Sequence, residues 1–305
     1  MNHVIEIDGL TKDYGEGRGV FDVNLTVEPG EIFGLVGING SGKTTTIRHL
    51  MGYLRPQKGT CSIEGRNCWK HAAELKKHIG HVPGEISFPD VRTGMDFFNL
   101  QARYLGIRDK TRVNSLIDRF NLDASAPLKR MSKGMKQKTA IVAGFMADAP
   151  ILLLDEGTTG LDPLMQKVFT ELVQEEKAQG RTMFMSSHMF DELEATCDRV
   201  AFLKEGRIID VVDMSLLGGN EPVKEYKVEF TSDEDYQTFL AQSFLVKRHR
   251  DDYKQVSVLL SDRDLNALFA SLSGLDVRYI TQVPRTLEDQ FKEKYQESEG
   301  TNHAY

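Results

Sequence analysis

An eight-residue stretch, Gly37-Ile38-Asn39-Gly40-Ser41-Gly42-Lys43-Thr44, has the residue types needed to hold a polyphosphate. Glycines let successive backbone N–H groups curl around phosphate oxygens without Cβ clashes. A helix starting at the end of the run presents its positive N-terminus to the anion. Lys43 would reach the β and γ phosphates, and the Thr44 hydroxyl would ligate Mg2+. Thr45 carries the run of amides into the helix. The pattern fits a P-loop. Later in the chain the apolar run Ile151-Leu152-Leu153-Leu154 ends in Asp155-Glu156. Asp155 would hold the Mg2+ directly or through water, and Glu156 stands where a carboxylate polarises an attacking water.

These groups act together only if a strand, a loop and a helix follow in order and a second strand ends beside them. Residues 32–36 form a short apolar run into the glycine loop, and 44–51 have helical character. Four consecutive apolar residues at 151–154 suit a central strand of a parallel sheet, buried on both faces. Alternation at 4–7 and 21–27 predicts half-buried strands. Further strands are expected at 182–186 and 199–203, with a helix over 189–197 between them. Alternating strands and helices predict an α/β layer architecture. Residues 84–150 read as a mainly helical insert, with helical spacing over 93–105 and 113–120.

Three more stretches occur around these groups. Met131-Ser132-Lys133-Gly134-Met135-Lys136-Gln137 precedes Asp155, and Gly157-Thr158-Thr159-Gly160-Leu161-Asp162-Pro163 follows Glu156. Ser187-His188 comes next, with Glu192, Cys197-Asp198-Arg199 and Gly206 beyond it. In this order, over residues 3–215, the motifs resemble the ABC ATPase family. The resemblance implies a P-loop NTPase fold with a helical subdomain, ATP and Mg2+ as ligands, and ATP hydrolysis coupled to transmembrane transport. It implies that Glu156, His188 and Lys43 carry catalysis. By the same resemblance Ser132 and the Gly134 amide bind the γ-phosphate of ATP held by a second subunit, and Asp162 contacts that subunit. Tyr14 corresponds to the aromatic that stacks on adenine, with Val20 against the same base.

Two positions depart from the family pattern. Gly157 replaces a proline, and Gly84, in His81-Val82-Pro83-Gly84-Glu85, stands where the family places a glutamine. Glu85 either takes over at the Mg2+ or is a solvated loop residue. The Ser-Lys-Gly-Met-Lys-Gln form resembles a variant of exporters of drugs, peptides and polysaccharides. The implied partners are a polytopic membrane permease, docking near residues 84–105, and a second ATPase subunit in a homodimer or heterodimer. The alternative is a non-transport ABC ATPase acting with a soluble partner. Such relatives carry two cassettes, a long coiled coil or zinc modules, and this sequence shows one cassette, no sustained heptads and no zinc spacing.

The formal net charge of -7 gains nothing from counterion release, so no nucleic acid partner is expected. The most apolar stretch, 140–154, is interrupted by Asp148 and Pro150 and falls short of the roughly 20 residues that span a bilayer. The N-terminus lacks a signal-peptide pattern. A cytoplasmic protein held at the inner face of the cell membrane by its permease is therefore expected. The odd count and spacing of Cys61, Cys68 and Cys197 argue for reduced thiols. The domain plan is an ATPase domain over 1–217, a Gly218-Gly219-Asn220 linker and a small C-terminal α+β domain over 222–296. Strand patterns at 226–230, 244–246, 256–260 and 277–280 enclose a helix capped by Ser232 and Asp235 and another over 265–272. This β-α-β-β-α-β order is ferredoxin-like. A last helix over 286–295 and a disordered tail over 297–305 complete the expectation.

Overall fold

The computed structural model describes residues 3–217 and 223–300, without the side chains of 299 and 300. The expected linker Gly218-Gly219-Asn220 and residues 301–305 of the expected tail lie outside the described residues. The chain divides into two compact units. One takes in the chain through Met214 and again from Lys294; the other is Ser215–Glu293.

In chain order the first unit contains β1 (Ile5–Asp13), β2 (Gly19–Val27), β3 (Ile32–Val36), α1 (Lys43–Leu50), β4 (Lys58–Ile63), β5 (Arg66–Asn67), α2 (Ala72–Leu75) and β6 (Ile79–Val82). There follow α3 (Gly94–Leu105), α4 (Thr111–Arg119), α5 (Lys133–Phe145), β7 (Ile151–Asp155), α6 (Pro163–Ala178), β8 (Thr182–Ser187), α7 (Phe190–Thr196), β9 (Arg199–Lys204) and β10 (Arg207–Asp213). The main sheet has the order β10-β9-β3-β8-β7-β6. It is parallel except for the β9–β10 hairpin. Every residue of β3 and β7 is buried, which is why both read as unbroken apolar runs rather than alternating ones. A second, antiparallel sheet has the order β2-β1-β4-β5. One apolar cluster joins the two sheets through α1, including Ile7, Leu25, Leu35, Ile47, Leu153 and Leu203.

The parallel pairing has a direct consequence for chemistry. Val36, the last residue of β3, lies opposite Ser187, the last of β8, and Asp155, the last of β7, lies opposite Ser186. The loops that leave these three strands therefore emerge side by side, at the carboxyl edge where ligands bind open α/β sheets. The helical part between β6 and β7 is punctuated by local signals. Thr93 and Asp96 form a reciprocal capping box on α3, and Gly106 ends that helix at φ 71°.

The second unit contains β11 (Lys224–Phe230), α8 (Asp233–Leu240), β12 (Leu245–Arg250), β13 (Gln255–Leu260), α9 (Leu265–Leu272) and β14 (Val277–Val283). Its sheet order is β12-β13-β11-β14, with every pairing antiparallel. Both the strand-helix sequence and the order are ferredoxin-like. Its own core gathers Val228, Phe230, Tyr236, Phe239, Val256, Val258 and Leu268.

A last helix, α10 (Leu287–Gly300), crosses from the second unit back into the first. Residues 297–300, expected to be a disordered tail, are helical. Lys294 pairs with Glu297 at 3.0 Å, and the Ser298 hydroxyl donates to the Tyr295 carbonyl at 2.7 Å. The Lys204 ammonium donates to that same carbonyl at 3.0 Å and to the Ser298 hydroxyl at 2.9 Å, and it lies 3.7 Å from the centre of the Tyr295 ring. Lys204 sits 94 positions earlier in the chain than Ser298, so spacing within the tail carries no sign of it.

Candidate active site

The loop Gly37–Thr44 is shaped by close backbone approach. A Cβ at Gly37 would lie 2.3 Å from the Leu203 carbonyl oxygen. Gly42 takes φ 113°, and a Cβ there would lie 2.7 Å from Val20. Gly40 also takes a positive φ, 84°. Ile38, Asn39 and Gly40 are exposed, whereas Ser41 and Lys43 are buried. Helix α1 starts at Lys43 with no side-chain cap and no acid in its first turn, so its positive end is offered to an anion. Thr44 and Thr45 lie half-buried in that first turn.

Lys43 is 4% exposed, which places a cation inside the loop. Its ammonium donates to the Gly37 carbonyl at 2.8 Å and to the Ile38 carbonyl at 3.4 Å. It also lies 3.4 Å from the Glu156 carboxylate. Asp155 is buried and accepts from the Ser186 hydroxyl at 2.6 Å, with the Thr44 hydroxyl nearby. Burial pushes its carboxyl above the ordinary aspartate range, and those two hydroxyls partly offset the rise. Glu156 adopts φ 49°, uncommon for a residue with a side chain, and its amide donates to the Ser186 carbonyl at 3.0 Å. That turn sends its carboxylate out beside Lys43. His188 Nδ1 stands 3.4 Å from Glu156 Oε2, and the Thr159 hydroxyl donates to the same oxygen at 3.3 Å. Lys43, Glu156 and His188 thus meet at one place.

The remaining sequence candidates are distributed around this centre. Ser132 caps α5, accepting from the Met135 amide at 3.2 Å, and Asp162 caps α6, accepting from the Met165 amide at 3.0 Å with Pro163 in the first turn. Ser132 and Asp162 therefore serve their own helices and do not meet Lys43. A Cβ at Gly134 would lie 3.0 Å from the Gly160 carbonyl, so the turns before α5 and α6 are neighbours. Tyr14 is half exposed beside Lys12, whose ammonium is 5.6 Å from the ring centre. Val20, expected against a base, is instead fully buried beneath Gly42, because the loop backbone packs straight onto it.

Glu85 does not reach the Thr44–Asp155 pair. Its carboxylate is exposed and pairs with Arg48 at 2.9 Å, one turn of α1 beyond Thr44. Gly84 lies directly on the buried acid: a Cβ there would be 2.9 Å from Asp155 Oδ2. A glutamine at Gly84 would have to displace Asp155. Gly157 is equally constrained, since a Cβ would lie 2.7 Å from the Phe169 ring. Its carbonyl accepts from the buried Gln137 amide at 2.7 Å. Sequence reasoning missed the partners of Glu192, whose carboxylate accepts from Ser187 and Thr158. Its regular spacing after His188 was the available signal.

The donor set suits a hard divalent cation. The Thr44 hydroxyl lies near the Asp155 carboxylate at the mouth of the phosphate loop, and Mg2+ takes one or two protein oxygens together with phosphate and water. Among the described residues no group of three or more His, Cys, Asp or Glu could hold a metal by itself. Among the same residues no helix is long and apolar enough to cross a membrane.

Comparisons with known proteins point to one family. Residues 20–159 match the family described as ABC transporter. The bacitracin transport ATP-binding protein BcrA of Bacillus licheniformis is 31% identical over 300 residues, covering 95% of this chain and 97% of that protein. The Nod factor export ATP-binding protein I of Ralstonia nicotianae is 32% identical over 211 residues, covering 68% of this chain and 66% of that one. A solved ATP-binding subunit of an ABC transporter superposes with a TM-score of 0.64 at 30% identity, covering 69% of this chain and 90% of that one. A dimeric ATP-binding cassette in a post-hydrolysis state with ADP and Pi shares the fold, with a TM-score of 0.62 at 20% identity over 69% of this chain and 98% of that one.

Proposed function

The chain belongs to the ABC transporter family of ATP-binding subunits, and from that membership we propose that it hydrolyses ATP to drive a separate polytopic permease, as an exporter subunit working in a pair. The observation that carries this reading is the meeting of Lys43, Glu156 and His188 beside the Thr44–Asp155 pair.

The roles follow from position. Lys43 exchanges its contacts with the Gly37 and Ile38 carbonyls for phosphate oxygens, as a point charge already fixed inside the loop. Thr44 and Asp155 would hold Mg2+, which supplies charge neutralisation at the phosphates. Glu156 orients water and takes its proton. His188, held against Glu156, fixes that carboxylate and reaches the terminal phosphate. Tyr14, exposed at the rim, offers its face to the adenine. Ser132 and Gly134, at the start of α5, serve the nucleotide of a second ATPase subunit, and Asp162 faces the same interface. Two sites shared in this way make ATP a bridge whose loss on hydrolysis opens the pair.

Export is favoured by one relative, the Nod factor export ATP-binding protein I, and by the Ser132-Lys133-Gly134-Met135-Lys136-Gln137 variant. A cleft of about 400 Å³ between β6 and the helical part, lined by Tyr53, His81, Pro83, Phe88, Phe97 and Leu105 among others, is a seat for a permease helix. The test is purification from membranes of cells expressing the tagged chain. Recovery with a multi-span membrane protein is expected, and recovery with ribosomes or DNA instead would sink the proposal. Lys43→Ala should weaken ATP binding by about a hundredfold, as expected when a charge-assisted phosphate contact is removed. Unchanged affinity by equilibrium dialysis would remove Lys43 from the site.

A further inference from the structure

We propose that Glu192 is a positioning residue: one of its carboxylate oxygens clamps the turn after Glu156 to the turn that carries His188, and so sets the geometry between those two side chains. This rests on the roles given above to Glu156 and His188, and it assigns Glu192 no contact with nucleotide.

The argument begins with burial. Glu192 lies in the first turn of α7 and is only 7% exposed. A carboxyl group placed there needs hydrogen-bond partners to offset its desolvation. Its Oε2 has two. The Ser187 hydroxyl donates to it at 2.5 Å and the Thr158 hydroxyl at 3.0 Å. The two donors come from separate parts of the chain. Thr158 is two residues beyond Glu156, whereas Ser187 ends β8 immediately before His188. Burial pushes the Glu192 carboxyl above the ordinary glutamate range, against the effect of the two hydroxyls. Either protonation state still leaves Oε2 available as an acceptor.

Ser187 extends the clamp across His188. Its hydroxyl, while donating to Glu192, accepts from the Met189 amide at 3.0 Å. The residues on both sides of His188 are thereby tied to one point. Glu192 is itself anchored, because the Thr196 hydroxyl donates to its backbone carbonyl at 2.7 Å. Its second oxygen, Oε1, is buried without a hydrogen-bond partner. The group is therefore kept for what Oε2 does, at the cost of an unsatisfied atom. On the open side of this clamp, Glu156 Oε2 and His188 Nδ1 face one another at 3.4 Å. Phosphoryl transfer depends on orientation, and misplacement of about 1 Å at such a site costs on the order of a hundredfold in rate. A clamp that fixes both backbones is the simplest way to hold that spacing.

A role confined to stability and a role in positioning predict different kinetics. Glu192→Ala strands the hydroxyls of Ser187 and Thr158, and its kcat should fall by about tenfold or more with ATP affinity within about twofold of the parent, a loss of orientation rather than of binding. Glu192→Gln keeps an acceptor oxygen and should recover most of the rate. Combined with His188→Ala, Glu192→Ala should cost little further, because both changes remove the same placement. The measurement is phosphate release at saturating ATP with Mg2+, together with nucleotide titration, below the melting temperature of each variant. Where Glu192→Ala fails to fold, Thr158→Val, which removes one donor only, takes its place and should still lower kcat. Parental kcat in the folded Ala or Val variant, a Gln variant as slow as Ala, or full additivity with His188→Ala would each overturn the clamp. Glu156→Gln is run alongside. If it is slow while Glu192→Ala is not, only this inference fails; parental turnover in both overturns the reading of the site as well.

Discussion

The sheet of the second unit and the candidate site of the first handle charge in opposite ways. On the sheet of the second unit the acids are neutralised by near neighbours. Glu225 pairs with Lys247 at 2.8 Å and with Arg248 at 3.3 Å, and Glu229 pairs with Arg278 at 2.9 Å. In the first unit Lys43 and His188 both stand 3.4 Å from Glu156, and Lys43 spreads its remaining donors over two carbonyls. Charges satisfied pairwise have little left to offer a ligand. Charges held loosely at the end of a strand exchange partners when phosphate arrives. Topology explains why the loose group forms where it does. Parallel strands deliver the loops after β3, β7 and β8 to one edge, whereas antiparallel strands alternate direction and scatter their loops between two edges.

The contrast is most severely tested by Glu156→Gln. Turnover should drop by about 10²–10⁴ while ATP still binds, as read by phosphate release against nucleotide titration; a parental rate would mean that the loose cluster is not the catalytic centre. Next in size is Phe230→Ala in the second unit. Phe230 is 2% exposed, and its truncation should cost about 3–5 kcal/mol in urea melts of that unit, with ATP affinity unchanged. Loss of affinity would show that the units do not divide structure from chemistry as the pairing of charges implies. Gly157→Ala drives a Cβ into the Phe169 ring and should lower stability by about 1–3 kcal/mol, so an unchanged Tm would show that Phe169 yields freely. The smallest effect belongs to Glu85→Ala. An exposed ion pair contributes about 0–1 kcal/mol, and Mg2+-dependent turnover should stay within about twofold. A collapse of the Mg2+ dependence would restore Glu85 as a ligand.

What could be read from sequence was local. Gly37 to Thr44, the run Ile151–Asp155 and the β-α-β-β-α-β order are patterns within short windows, and the fold follows them. The glycine positions were readable as residue types but not as contacts. Nothing near Gly84 in sequence announces Asp155, and nothing near Gly157 announces Phe169. Val20 shows the same limit: the family resemblance pointed it toward a base, while its environment is set by Gly42. Glu192 was visible as a spaced acid, yet its partners lie 5 and 34 residues away. Pairings across the fold are properties of packing, and a single sequence carries them only implicitly.

The attachment of α10 has a practical consequence for engineering. Lys204 grips Tyr295 and Ser298, so the end of α10 belongs to the first unit and the second unit is an insertion in its sequence. Truncating the chain at the junction would remove two acceptors and a ring from a lysine that is 6% exposed, and any defect that resulted would be misread as a role of the excised part. An excision that cuts after Met214 and resumes at Lys294 keeps the final turns of α10. The same two seams are where a ferredoxin-like unit from a relative should be exchanged.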